Sequence, residues 1–408
     1  VNPEWGLKLS GKDGANAGGV FITRDEVNSL IIPSNQGSAQ AFLEETVDAA
    51  VVRYRRDIGS SSTVGFLYTG REGNHYHNRV GGVDGFVRLS PANELRFQYL
   101  RSDTRYPHEI AEAYDQTQEA FSDDALFFIY EHQSEKWTGW LEWVDFGPGF
   151  RADSGFVPRV DTKRLEGSLR RIFRGDGDDW YTQLWFGGTY RRIEDHSGQL
   201  TDEEYRLFHL YTGPLQSVVQ IGAWVEKEFY FDTLYEDLTN WFAYFEMQPG
   251  AIGQVTLFAQ GGETIDYSNN QPADELVLQP SLELKLGRHF NAQFFHIFQD
   301  LEVANGDLST ANISELRLVY NFNTRLFVRG IFQYRNVDYT PENFSFPVPD
   351  MTERFFTQLL FSYTVNPQTV IFVGYSDNYL GFEQDPSRVD LTQSDRTIFI
   401  KLGYAWIL

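Results

Sequence analysis

The C-terminal stretch I-F-I-K-L-G-Y-A-W-I-L (residues 398–408) alternates between two sets of side chains. Successive side chains of a β-strand point to opposite faces, so alternation divides this stretch into two sides. One side is apolar and aromatic, and it holds Ile398, Ile400, Leu402, Tyr404 and Trp406. The stretch therefore predicts a strand with one face suited to an apolar environment and an aromatic ring near its end.

The same alternation recurs along the chain. In S-L-E-L-K-L-G (residues 281–287) three leucines alternate with Ser, Glu and Lys, and residues 219–228 and 325–335 behave alike. No run of 18 apolar residues exists and the mean hydropathy is −0.39, so the sequence excludes membrane-spanning helices. It does not exclude a spanning barrel, because only every second residue of such a strand must face lipid.

The connections between candidate strands are of two alternating kinds. Short ones are rich in Gly, Pro, Asn and Asp, as tight hairpins require. The others are mostly long and acidic, at about residues 25–46, 103–123, 147–160, 193–204, 263–275, 338–353 and 377–395. Outer-membrane barrels have short periplasmic turns and longer extracellular loops. The sequence therefore predicts an all-β protein, a large antiparallel transmembrane β-barrel.

Strand number and direction follow from these connections. About 21 strands fit in the chain, counted from the alternation of turns and loops. The first and the last strand both run toward the periplasm, which places Leu408 on that side and makes the count odd. Bacterial barrels are usually even, so we expect one more strand upstream of Val1 and 22 in the intact protein. We interpret residues 1–408 as a single barrel domain.

A barrel of this width cannot be filled by its own strand side chains, and barrels of this size hold a plug. We find no plug domain in the sequence. Three alternatives remain open at this stage: extracellular loops fold into the lumen, an upstream segment does, or a separate protein fills or caps it.

Charged residues of the strands fall mainly on the less apolar side. A charge that faces lipid at mid-bilayer costs roughly 2–4 kcal/mol for Arg or Lys, so these side chains are predicted to line the lumen. They could brace the wall or select solutes. The candidates are Arg53, Arg55, Glu142, Arg164, Glu166, Arg170, Glu226, Glu228, Arg317, Arg325 and Arg329.

Two segments resemble a known family. E-W-G-L-K-L-S-G-K-D-G (Glu4–Gly14) and N-R-V-G-G-V-D-G-F-V-R-L-S (Asn78–Ser90) are similar to the barrel portion of a largely uncharacterised family of bacterial envelope proteins. Members of that family usually carry an N-terminal carbohydrate-binding domain of the family-9 type. The resemblance implies an outer-membrane location, an upstream periplasmic or carbohydrate-binding-like domain, and saccharides as candidate solutes. It supplies no catalytic residues.

Three groups of residues could carry chemistry. His75 and His77 could ligate a transition metal, although a third ligand is not evident. Asp176 and Asp178 belong to G-D-G-D-D, which resembles a calcium loop but fits a tight hairpin better. His196 lies beside Glu194 and Asp195, but no G-x-S-x-G nucleophile motif is present. We predict no metal site, no cofactor and no enzymatic activity.

The composition limits the classes of partner that the protein can have. A net charge of −23 argues against nucleic acid, and the absence of cysteine excludes disulfides and thiol chemistry. The expected partners are outer-membrane lipid and lipopolysaccharide, small solutes, and a separate plug or surface protein. We expect a porin-like channel or gated transporter. The alternatives are a closed barrel that anchors or sheathes a partner protein and, less favoured, a hydrolase at the barrel rim.

Overall fold

The computed structural model describes residues 3–384 and 387–405. Trp406 and Leu408 of the predicted last strand lie outside the described residues, as does Val1. The chain divides into two compact units. Unit 1 runs to Ile172 and includes Gly187–Tyr205 and Glu226–Glu236, and unit 2 holds Phe173–Phe186, Arg206–Val225 and the chain from Asp237 onward.

The described residues are almost entirely β-strand, with one short α-helix and two 3-10 turns. The helix α1 is His108–Ala113. The strands are β1 (Pro3–Asp13), β2 (Asn16–Asp25), β3 (Asn28–Pro33), β4 (Ser38–Leu43), β5 (Val47–Ile58), β6 (Ser62–Glu72), β7 (His77–Ser90), β8 (Asn93–Arg105), β9 (Phe121–Gln133), β10 (Trp137–Phe146), β11 (Thr162–Arg174), β12 (Gln183–Glu194), β13 (Leu200–Gly213), β14 (Ser217–Tyr230), β15 (Thr233–Met247), β16 (Gly253–Asp266), β17 (Gln271–Leu286), β18 (Phe290–Val303), β19 (Gly306–Asn321), β20 (Leu326–Tyr339), β21 (Met351–Asn366), β22 (Thr369–Gln384) and β23 (Ser387–Tyr404).

Within the described ranges, 21 strands belong to one sheet, and β3 and β4 form a separate hairpin. The expected count of about 21 sheet strands is therefore confirmed for this part of the chain. Neighbouring strands pair antiparallel, as β5 does with β6 and β16 does with β17. In the part of the chain that the structure describes, no helix has the length and apolar character to cross a membrane.

The long connections are partly as predicted. Those after β2, β8, β10 and β20 are long, and they cover residues 26–46, 106–120, 147–161 and 340–350. The other three predicted long loops are wrong in extent. The connection after β12 is only residues 195–199, the one after β16 is only residues 267–270, and β22 and β23 extend to Gln384 and from Ser387.

Paired charge inside the strands explains this error. The acidic composition predicts a loop at Asp377, yet Asp377 lies within β22, directly opposite Arg396 of β23. The Arg396 guanidinium donates to Asp377 at 2.9 Å, and the Tyr375 hydroxyl donates to it at 2.6 Å. Because neighbouring strands can neutralise charge across the ladder, an acidic segment need not be a loop.

The sheet of unit 1 has one polar and one apolar face. Paired residues of adjacent strands share a face, so the strand register extends both faces across β5 to β11. We call the face that holds Arg53 of β5 and Glu142 of β10 the polar face. On the other side Tyr54, Phe66 and Val83 lie side by side and are exposed.

Unit 2 repeats this arrangement. Leu282 of β17, Phe294 of β18 and Leu316 of β19 are directly paired and form an exposed apolar row. The next row, on the opposite face, contains Glu283 and Arg317. A sheet face of exposed leucine and phenylalanine is unfavourable in water and suits contact with lipid acyl chains.

Long loops of unit 1 fold into a small core of their own. The β3–β4 hairpin contributes Leu30 and Ile32, helix α1 contributes Ile110, and Tyr76 and Tyr106 come from the connections after β6 and β8. All five side chains are buried. These connections are therefore packed structure at the loop end of the unit 1 sheet.

Candidate functional site

Residues 147–161, which connect β10 to β11 and which we call the crossing loop, lie on the polar face of unit 1. Three backbone amides of this loop, spaced two residues apart, donate to side chains on three successive strands, β9, β8 and β7. The bonds are Gly149 N to Asp123 Oδ2 (2.8 Å), Arg151 N to Ser102 Oγ (3.2 Å) and Asp153 N to Asn78 Oδ1 (2.9 Å). The loop therefore runs across the strands at one step per strand.

Asn78 of β7 is the most extensively bonded of these anchors. Its Nδ2 donates to Arg151 O at 3.0 Å and to Thr104 Oγ1 at 2.9 Å, while its Oδ1 accepts from Asp153 N. Asn78 and Thr104 are both 0% exposed. A buried amide that meets loop backbone on both its donor and its acceptor side holds the loop in one register.

The carboxylate of Asp153 is the centre of a second group of bonds, the Asp153 cluster (Asp153, Tyr76, Tyr106 and Arg71). Tyr76 Oη donates to Oδ2 at 2.7 Å and Tyr106 Oη to Oδ1 at 3.2 Å. Arg71 Nη1 donates to the Asp153 carbonyl oxygen at 2.8 Å. Both phenols are buried, so the cluster joins the crossing loop to the core formed by the other long loops.

Burial perturbs the acidities of this cluster. Withdrawal from water raises the pKa of the Asp153 carboxyl, and the bonds from Tyr76 and Tyr106 and the charge of Arg71 only partly oppose that effect. Burial likewise raises the pKa of the Tyr76 and Tyr106 hydroxyls, and the nearby Asp153 carboxylate raises them further. Both phenols therefore stay protonated and remain donors to Asp153.

Packing of the crossing loop should depend on pH through Asp153. The packed loop binds this proton more tightly than a free loop, in which an exposed Asp has a pKa of about 3.9. Packing is therefore strongest below that value and weakens as the pH rises through the raised pKa of the packed carboxyl. The protein has no cysteine, so a spin label on Phe156→Cys would report loop mobility alone. Loop mobility should increase with pH in the labelled Phe156→Cys protein. The additional substitution Asp153→Asn should remove this dependence on pH. A pH response that persists in Asp153→Asn would contradict the prediction that Asp153 causes the pH dependence.

Arg151 is held inside the loop region. Its guanidinium donates to Pro148 O and Phe150 O at 3.0 and 2.8 Å, and to Gln116 Oε1 at 2.8 Å. It also lies over the Phe121 ring, with 5.5 Å from Cζ to the centroid. Burial lowers the pKa of Arg151, but hydrogen bonds to carbonyl oxygens and the aromatic face keep the cation compatible with its position.

Apolar contacts complete the attachment of the loop. Phe150 and Val160 of the crossing loop are buried with Val80 of β7 and Ala125 of β9, and Phe146 and Leu100 pack against them. Phe150 is 0% exposed. Because the Phe150 ring is completely buried there, it attaches the crossing loop firmly to the polar face.

Most of the predicted lumen residues lie on polar faces and contact a polar or charged side chain of the same strand or of a nearby strand. The Arg53 guanidinium makes a bidentate contact with Asp84, one arm at 2.7 Å. Arg164 lies 2.5 Å from Glu142 and 3.7 Å from Glu166. Further contacts are Arg317 with Glu315 in β19 (3.3 Å), Arg329 with Gln358 of β21 (3.0 Å) and Arg55 with Asp57 in β5 (3.7 Å).

The other four candidates are Arg170, Glu226, Glu228 and Arg325. Arg170 lies on the polar face of β11, and Glu226 and Glu228 alternate along β14 with the exposed Val225. Arg325 was placed in a strand, and this is wrong. It lies in the turn of residues 322–325, one position before β20, where Asn323 Oδ1 accepts from its backbone amide at 2.8 Å. The alternation of β20 extends to Arg325, whose carbonyl oxygen still accepts from Thr364 N of β21 at 2.8 Å, but the Asn323 turn leaves Arg325 just outside the strand.

The two histidine candidates have different surroundings. His77 Nε2 lies 3.3 Å from Asp103 Oδ2. His75 lines a cavity of about 670 Å³ together with Glu45 and His108. Within the described residues, no set of three or more His, Asp or Glu side chains has the geometry of a metal site. His75 and His77 are therefore not assembled with a third ligand in this part of the chain.

Asp176 and Asp178 lie in the connection between β11 and β12. The turn is closed locally, because the Asp176 amide donates to Asp179 Oδ2 at 2.8 Å and the Asp179 amide donates to Asp176 O at 3.0 Å. The Asp179 carboxylate of the motif is thus used to form the turn itself.

His196 lies between two carboxylates. Its Nδ1 is 2.8 Å from Asp161 Oδ1 and its Nε2 is 3.0 Å from Asp145 Oδ1. The adjacent Ser197 hydroxyl donates to Asp195 at 2.7 Å. Neither imidazole nitrogen is directed at a hydroxyl nucleophile, so the arrangement joins the end of the crossing loop to β10 and differs from a Ser-His catalytic pair.

Sequence reasoning did not single out Asn78, Asp153, Phe150, Tyr76 or Tyr106. One signal was available. G-P-G-F-R at 147–151 and V-P-R-V at 157–160 place apolar residues in a segment treated as a solvated acidic loop. Apolar residues in a long surface connection can indicate that it packs against something.

Comparison with family models gives no match, and comparison with curated proteins gives none either. Solved structures do match. The siderophore receptor PirA from Acinetobacter baumannii has a TM-score of 0.55 at 8% identity, over 96% of this chain and 74% of that one. A mutant of the ferric enterobactin receptor PfeA from Pseudomonas aeruginosa has a TM-score of 0.51 at 8% identity, over 96% and 72%. At this identity the likeness concerns the fold alone, and this chain has the fold of a large outer-membrane β-barrel.

Proposed function

We propose that this protein is a channel of the bacterial outer membrane, in which the polar face lines the passage and the crossing loop narrows it. The apolar face would contact lipid and lipopolysaccharide, and the end of β23 would lie on the periplasmic side. Small polar solutes would pass, with saccharides first among them because of the family resemblance.

The observation that carries the proposal is the path of the crossing loop over β9, β8 and β7. The polar face of a spanning barrel looks into its lumen, since charges there avoid lipid. A loop bonded to three successive strands on that face occupies cross-section that a solute would otherwise use. This favours a passage restricted by the chain's own loop, without requiring a separate plug protein.

The fold of the comparison structures also supports a role in the passage of solutes. Both are described as receptors, one for a siderophore and one for ferric enterobactin. Recognition of a solute at the outer membrane is therefore a function that this fold accommodates. The chemistry of those two solutes is not carried over to this chain.

Conductance of the purified protein in planar bilayers tests the proposal. We expect discrete single-channel steps and a concentration-dependent block by maltooligosaccharides. A barrel that stays closed under applied voltage and co-purifies with another polypeptide would instead support the anchoring alternative. Conductance without any saccharide block would reject saccharides as the solutes and would still support a channel.

Ion selectivity should depend on the paired charges of the polar face. Arg53→Ala removes the bidentate partner of Asp84 and leaves that carboxylate uncompensated, so the channel should become more cation-selective. The reversal potential in a salt gradient measures this shift. Arg56→Ala is the matched control, because Arg56 lies on the opposite face of β5. Equal shifts in both variants would show that the polar face does not line the ion path.

A further inference from the structure

A cavity of about 310 Å³ lies between the crossing loop and the polar face of unit 1. We propose that it is a binding site for a small neutral molecule with an apolar body and one hydrogen-bonding group. The site is independent of whether the barrel conducts, because it is formed within one set of packed strands and their loop.

The walls of the cavity are unusually apolar for this face. Leu67 of β6, Leu100 of β8 and Phe127 of β9 share the face that carries Arg53 and Glu142, yet they line the cavity. Water is poorly stabilised along these apolar walls, since it needs two to four polar partners. An apolar group would use the surface better than water does.

The crossing loop supplies the opposite wall. Phe150, Ala152 and Val157 of the loop line the cavity, and Phe150 is held by the buried core described above. Ser154 and Gly155 also line it and are exposed, so the entrance lies at this part of the loop. The loop is therefore both the cover of the cavity and the edge of its mouth.

The polar groups of the lining select for a neutral ligand. Among the residues that the structure describes, no charged one lines the cavity. Its polar side chains are Thr69, Gln98 and Ser154, and within the described residues none of the three has a hydrogen-bond partner for its side chain. A buried ion without a counter-charge is strongly disfavoured, whereas one hydroxyl or amide could bond to Gln98.

The volume limits the size. An engineered apolar cavity of about 150 Å³ accepts benzene. The present cavity of about 310 Å³ is about twice that volume. A single ring with a short hydroxyalkyl chain, roughly ten non-hydrogen atoms, matches this space and the one polar contact.

Binding of 4-fluorophenethyl alcohol to the full chain in lipid nanodiscs tests the site. Fluorine NMR should show saturable binding at one site per chain, above the linear partition seen in empty nanodiscs. Ala152→Phe fills the cavity from the loop side and should weaken binding at least ~10-fold. Ala259→Phe is the matched control, since Ala259 lies on the apolar face of β16 and should leave binding unchanged.

Two comparisons keep the test decisive if Ala152→Phe does not fold. The anion 4-fluorophenylacetate should bind at least ~10-fold more weakly than the alcohol. Gln98→Leu should abolish the preference for the alcohol over 4-fluoroethylbenzene. Non-saturable partition, equal binding of the anion, or an unchanged preference in Gln98→Leu would each overturn the proposal.

Discussion

Asn78→Ala should release the crossing loop and increase the single-channel conductance. The substitution removes both bonds of the Asn78 side chain to loop backbone, at Arg151 O and Asp153 N, and the bond to Thr104. Each buried group left without a partner costs about 1–3 kcal/mol, so packing should weaken by about 2–5 kcal/mol. A change of that size alters the ratio of packed to released loop by roughly 30-fold or more.

The measurement is conductance in planar bilayers at fixed salt, together with its noise. Asn291→Ala is the matched control, because Asn291 lies in β18 of unit 2 beside Glu283 and makes only a 3.4 Å bond to it. We expect larger and noisier steps for Asn78→Ala and wild-type steps for Asn291→Ala. Unchanged conductance of a folded Asn78→Ala protein would mean that the crossing loop does not limit passage.

Phe150→Ala should detach the loop through loss of apolar packing. Truncation of a fully buried Phe costs about 3–5 kcal/mol, because transfer energy is lost and a cavity is left. Phe150 is 0% exposed, with Val80, Ala125 and Val160 in the same buried cluster. The cost should be confined to the loop, since backbone pairing of the strands does not depend on this ring.

Limited trypsin digestion measures that release. The crossing loop contains Arg151, which is 6% exposed and should be cut only when the loop is free. Phe156→Ala supplies the control within the same loop, as Phe156 is 75% exposed. We expect rapid cleavage after Arg151 in Phe150→Ala and slow cleavage in Phe156→Ala. Similar rates in the two variants would show that the buried ring does not hold the loop.

The strands could be predicted from sequence because their signal is local. A period of two residues is visible within any seven-residue window, as in S-L-E-L-K-L-G, and it survives whatever the strand pairs with. The same period puts Arg53, Glu142 and Arg164 on the less apolar side, and the strand register places all three on one face. That they line the lumen stays a prediction. Prediction failed at Arg325 and Asp377, where a turn and a cross-strand ion pair decided the outcome.

The attachment of the crossing loop could not be predicted in this way. Asn78 and Arg151 are 73 residues apart in sequence, and Tyr76 and Asp153 are 77 apart. The separation in sequence does not predict either contact, because each forms only once strands β7 to β10 have brought the two segments together. The acidic composition of the loops suggested solvated chains, and it concealed the few apolar residues that do the packing.

The order of residues alone predicts an all-β chain whose strands have one polar and one apolar face. Alternation is sufficient for that, since each residue's face depends only on its position along the strand. The tertiary structure places the crossing loop on the polar face, where it covers a cavity and holds the Asp153 carboxylate between two tyrosines. Those contacts form between segments distant in the chain, and their energies exist only after the sheet has brought them together.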